Sequence, residues 1–138
     1  MNVLLVVEDP LLRDLVKVGL EQFDGVRVTA GRGHGGVALA RCQRYDCVFV
    51  GLGSAGHSGV ELLQHLRSFE QEAALFVLAG AAASKDFGRE KAKYDVHALV
   101  ATPLEAKVLF AQFSRFLERR AASRERAARE RQAAPALR

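Results

Sequence analysis

The sequence is poor in the residues that staple, anchor or metallate a fold. Its 138 residues include two cysteines, Cys42 and Cys47. Two thiols exclude a disulfide framework and a four-thiolate zinc site, and both read as small core hydrophobes. No apolar run approaches the ~20 residues that cross a bilayer, so no membrane segment is expected. The N-terminal stretch MNVLLVVEDP lacks a basic flank and soon meets acid, so it does not read as a signal peptide. A cytoplasmic, reducing setting is the expectation. His34, His57, His65 and His97 make no metal-ligand spacing with either cysteine. No Ser/His/Asp triad emerges either, and an enzyme is not expected.

Net positive charge is lacking outside one segment. The net charge is +4, yet residues 119–138 alone hold seven Arg and two Glu, a local +5. Residues 1–118 therefore carry −1. The body of the chain is not suited to polyanions. The tail has no aromatics to stack on bases, so nucleic acid is not the expected partner. A basic-tail nucleic-acid adaptor stays as an alternative. Two units follow: a domain at 1–118, and an Ala/Arg/Glu-rich extension or linker at 119–138. The extension is expected to continue the last helix to about Arg131 and fray towards Pro135.

What is present is a regular rhythm. Val3–Val7, Cys47–Val50 and Leu75–Leu78 are continuous apolar runs, while Val26–Thr29 alternates and Val96–Val100 closes the series. Between them, Leu11 to Leu20, Val37 to Cys42 and Val60 to Phe69 recur at helical spacing. Lys85–Tyr94 predicts a short exposed helix, and Leu104 opens a long one. Apolar strands alternating with helices predict a parallel sheet covered on both faces, with right-handed crossovers. Functional groups should gather at the C-terminal strand ends: Glu8-Asp9, Gly51, Ala79-Gly80 and Thr102.

Three stretches, VLLVVEDPLLRDLV, YDCVFVGLGSAGHSGVELLQHLR and HALVATPLE, carry a resemblance to the receiver domain of two-component response regulators. It covers about residues 1–118. The resemblance implies a flavodoxin-like (βα)5 fold with strand order 2-1-3-4-5. It also implies paired acids holding Mg²⁺ after the first strand and a phospho-accepting Asp after the third. A Thr or Ser then ends the fourth strand, and Lys-Pro the fifth. Gly59 is the expected glycine eight residues past the acceptor, which places Gly51 at the acceptor position. Ala79 stands at the hydroxyl position and Thr102 at the lysine position, with Pro103 retained. By resemblance the Thr102–Pro103 bond is expected to be cis. Anchoring on Pro10 puts Val7 and Glu8 at the acid pair. A one-residue shift puts Glu8 and Asp9 there, able to hold Mg²⁺ weakly at best. Asp9-Pro10 also reads as an N-cap and first helical residue.

Phosphoryl transfer to a carboxylate needs a nucleophile, a divalent ion and cationic stabilisation. The nucleophile, hydroxyl and ammonium are all missing from these positions. The expected function is a phosphorylation-independent pseudo-receiver that binds signalling proteins and uses no cofactor.

Two stretches compete as dinucleotide fingerprints, Gly31–Gly36 and Gly51–Gly56, both matching G-x-G-x-x-G. Neither is followed by an acid at the end of the next strand, the residue that would bind ribose. A reduced alternative is a ligand sensor holding an anion or nucleotide on loop 51–59, through Gly51, Gly53, Ser54, Gly56 and His57.

Partner binding is expected at the last helix and the adjacent strand. Leu99 stands where the family often carries an aromatic switch residue. In the last helix, Leu104, Val108 and Ala111 are expected to cover the sheet. Leu109, Phe113, Phe116 and Leu117 then form a second stripe, expected to meet a signalling partner or a second copy of the chain.

Overall fold

In the computed structural model, residues 1–52, 57–70, 72–88 and 91–133 are described. Five strands alternate with five helices: β1 (Asn2–Val6), α1 (Pro10–Glu21), β2 (Arg27–Gly31), α2 (Gly33–Cys42), β3 (Cys47–Gly51), α3 (His57–Phe69), β4 (Ala74–Ala79), α4 (Ala81–Phe87), β5 (Val96–Ala101) and α5 (Ala106–Ala133). All strand pairs are parallel, in the order β2-β1-β3-β4-β5. This is the flavodoxin-like arrangement that the alternating pattern predicts. Among the described residues, no helix is long and apolar enough to cross a membrane.

A period of two along β1, β3 and β4 divides the core into two layers, while a register shift in the β4–β5 pairing puts Val96 in one layer and Val100 in the other. Leu4, Val6, Val48, Val50, Leu75 and Val77 face α2 and α3, where Val37, Leu62, Leu63 and Leu66 meet them. Val3, Leu5, Phe49, Phe76 and Leu78 face α1 and α5, against Val16, Leu20, Leu109, Phe113 and Phe116. The second layer is aromatic. Phe49 and Phe76 stack with centroids 4.5 Å apart, and Phe113 lies 6.1 and 6.2 Å from them. Phe116 meets Phe76 edge-on at 5.3 Å.

This packing reverses the expected roles of the α5 stripes. Leu109, Phe113 and Phe116 are buried in the chain's own core, with Leu117 half-buried beside them. Val108 is 42% exposed and Ala111 is exposed too. Two phenylalanines fill the space over the Phe49–Phe76 stack, which a valine and an alanine would leave as a void. The fourth helix also differs from expectation. It spans Ala81–Phe87 and not Lys85–Tyr94, because three alanines follow the strand directly and favour a helix there. The backbone turns at 91–95 and Asp95 takes a positive φ of 52°. Cys47 is buried as expected, whereas Cys42 is exposed at the end of α2.

Two arginines tie the periphery down. Arg67, near the end of α3, donates to the carbonyls of Tyr94 (2.8 Å), Ala73 (3.0 Å), Asp95 (3.0 Å) and Glu70 (3.3 Å). One guanidinium thus satisfies carbonyls on both sides of β4. Arg120, in α5 beyond the core, pairs with Asp46 at the foot of β3. Asp46 also accepts from the Asn2 amide at 2.8 Å. Burial alone would raise the Asp46 pKa, but these hydrogen bonds and the Arg120 charge outweigh it and hold the carboxyl below its ordinary value.

A group depressed in this way stabilises the fold above its unfolded pKa, about 3.9, and the contribution fades as pH falls through the folded value. Arg120→Ala should therefore cost about 1 kcal/mol near pH 7 in urea unfolding. The gap between variant and parent should narrow as pH falls below the ordinary carboxyl range and through the lowered folded value. A gap that stays constant with pH would mean that Arg120 acts through packing alone.

Candidate functional site

The C-terminal strand ends share one rim of the sheet. Val6 pairs with Val50, so Val7 lies level with Gly51, and Gly51 pairs with Leu78. Ala79 pairs with Ala101, and the Thr102 amide donates to the Ala79 carbonyl at 3.0 Å. Gly51, Ala79 and Thr102 thus occupy neighbouring strand ends, as a shared site requires. A cleft of about 820 Å³ opens above them, and its lining includes Glu8, Asp9, Gly51, Gly80, Thr102 and Leu104.

Each residue at this rim has a definite job. Val7 is 1% exposed, turned into the α1–α5 layer, so it cannot serve as half of an acid pair. Asp9 is the N-cap of α1 and accepts from the Leu11 amide at 2.9 Å, with Pro10 opening the helix. Glu8 is exposed, and its Oε1 lies 3.5 Å from where a side chain on Gly33 would begin. Ala79 is buried and offers only a methyl group. Thr102 precedes a cis peptide bond to Pro103, in line with expectation. Leu99 is half-buried against the α2–α3 layer.

The described residues do not fit a Mg²⁺ site. No group of three or more His, Cys, Asp or Glu side chains among them is placed to hold a metal ion. One of the two available acids is already committed as a helix cap. Gly51 itself is open to substitution, since an added Cβ would meet Val7 at 3.4 Å, an ordinary contact.

The glycine-rich stretches have structural explanations where they are described. A Cβ on Gly31 would come within 2.5 Å of the Gly36 Cα, and one on Gly36 within 3.1 Å of Val6. These two glycines let α2 seat directly on the β1–β2 edge, so the first fingerprint match is a packing device. Gly59 has the same character, because its Cβ would fall 2.8 Å from the Leu52 Cα. Of the proposed ligand loop, Gly53, Ser54 and Gly56 lie outside the described residues, as does the His57 side chain. The described part of the cleft offers an anion no Lys, Arg or His.

Reactive groups elsewhere are few. Burial pushes the Cys47 thiol up to about 12, so it stays protonated. His97 packs between Phe76 and Phe116, at 5.0 and 5.1 Å, and its pKa is lowered by burial and then by nearby Arg119 and Lys91. It belongs to the foot of the sheet, at the end opposite the cleft. The Arg67 and Arg120 anchors were invisible in the sequence, since the carbonyls and the single carboxylate they serve are brought together only by the fold.

No protein-family model matches the chain, and no curated protein matches it. Solved structures do. NtrX from Brucella abortus, crystallised in complex with ADP, superposes with a TM-score of 0.75 at 19% identity over 91% of this chain. The REC domain of AraT, a response regulator from Geobacillus stearothermophilus, gives 0.69 at 20% identity over 87%. A CheY-like receiver domain from Methanospirillum hungatei gives 0.75 at 20% identity over 88%. The chain spans 29% of the NtrX chain, but 97% of each of the other two. These likenesses establish the receiver fold.

Treatment with acetyl phosphate and Mg²⁺ should leave the intact mass of the chain unchanged. Gly51→Asp alone should stay inert, because the hydroxyl and ammonium are still missing. Adding Ala79→Thr and Thr102→Lys restores the hydroxyl and ammonium, yet this variant too should stay inert while the rim lacks a Mg²⁺ site. An adduct on the parent chain would contradict this reading.

Proposed function

We propose that this chain is a pseudo-receiver: a receiver-fold module of signal transduction that works without phosphorylation, by binding a protein partner in the cytoplasm. The observation that carries this reading is the alignment of Gly51, Ala79 and Thr102 on adjacent strand ends. A nucleophile, a hydroxyl and an ammonium are lost together, at the three places where the receiver fold uses them. A switch lacking all three has no chemical input. What remains for the fold to offer is its surface, so the reading is one of binding and not of catalysis.

The partner face is assigned to α5, corrected for the stripe that the core consumes. Leu109, Phe113 and Phe116 are unavailable, and the outward apolar residues of this helix are Val108 and Phe110, 42% and 55% exposed. Phe110 is braced from behind by Phe23, whose ring stacks on it at 4.8 Å. A second copy of the chain is the partner proposed for this face. The basic extension on the same helix, helical through Ala133, then projects beyond the body of the domain.

Sedimentation velocity over a broad concentration range tests this. Self-association is expected for the parent, with a loss of at least about tenfold in affinity for Val108→Asp and an unchanged thermal midpoint. A monomer at every concentration would contradict the self-association.

A further inference from the structure

The cleft above the strand ends has a chemistry of its own. Its volume of about 820 Å³ lies inside the range typical of small-ligand sites. The lining is mostly apolar: Leu12, Leu52, Leu104, Pro103 and the alanines that open α4. Leu11 and Leu15 stand at its rim, 76% and 58% exposed, so apolar surface lies open to water beside it. The only charges among the described lining residues are the carboxylates of Glu8 and Asp9. Asp9 is occupied as a helix cap. Glu8 is exposed, and no hydrogen bond or ion pair engages it among the described residues.

We propose that this cleft binds a small organic cation: an ammonium group carried on an aliphatic body. The body lies against Leu12, Leu52 and Leu104, and the charged head faces Glu8. Charge complementarity selects the class. An anion would meet two carboxylates and no cation, and a neutral apolar molecule would make no use of Glu8. Gly51 lines the cleft and carries no side chain, which leaves room for such a body. The cleft lining includes Leu104, just before α5, but neither Val108 nor Phe110.

The test is a titration of the ¹⁵N-labelled full chain with hexylammonium, hexanol and hexanoate, three probes of one length and different charge. Hexylammonium should move the amides of Gly51, Gly80, Ala82 and Thr102 saturably. Hexanol should bind about tenfold more weakly and hexanoate more weakly still. Glu8→Gln, at an exposed position, should bring hexylammonium down to the level of hexanol. Gly51→Leu should occupy the floor of the cleft beside Leu52 and weaken binding of all three probes. Val108→Asp should bind hexylammonium like the parent, which separates this result from the fate of the α5 interface. Equal binding of the three probes, shifts confined to other surfaces, or no saturable shift would each overturn the proposal. So would saturable binding of a Lys- and Leu-rich peptide without any binding of hexylammonium, which would assign the cleft to a protein segment.

Discussion

The contact on which the rest depends is Phe113 seated on the stacked rings of Phe49 and Phe76. It sets the rotation of α5 about its own axis. Once Phe113 is inside, Leu109 and Phe116 must follow, Val108 must face away, and Phe110 falls at the margin, stacked on Phe23. The same rotation brings Arg120 to Asp46 at the foot of the sheet, so the extension begins from an anchored turn. Aromatic pairs of this kind contribute about 0.5–1.5 kcal/mol each beyond their buried area. The core, the outward face of α5 and the direction of the extension are therefore one decision.

At the opposite end of the sheet, close backbone approaches build the frame of the strand ends. The glycines that allow close approach are present at Gly31, Gly36 and Gly59, as is the cis bond before Pro103. The frame therefore still closes tightly around the strand ends. Gly51 lines the cleft without a side chain, and Ala79 is buried. The cleft is apolar with an acidic lip, and a substitution among its lining residues is a change of lining. Such a change alters what can enter more than it alters the fold, because the strand ends are held by backbone hydrogen bonds such as Leu52 to Leu78 and Thr102 to Ala79.

The strands were legible because their apolar runs answer to local rules: β1, β3 and β4 are buried on both faces and read as unbroken hydrophobic stretches. The N-cap at Asp9 and the positions of Gly51, Ala79 and Thr102 could also be read in the sequence, since each depends on near neighbours or on motif spacing. The orientation of α5 could not. Two apolar stripes recur at helical spacing, and only the volume of the Phe49–Phe76 stack decides between them. The start of α4 was missed because the Lys/Glu-rich stretch after it mimics a surface helix, whereas the alanines before it form one. Arg67 left no signature, because backbone carbonyls carry no sequence information.

The central claim is that the phosphorylation switch is gone from this receiver fold. An amide NMR fingerprint recorded with Mg²⁺, and then with beryllofluoride as a phosphoryl mimic, tests it most directly. The account predicts no mimic-dependent movement of Leu99 or of the α5 amides. A saturable shift spreading from Gly51 and Thr102 to Leu99 and α5 would contradict it.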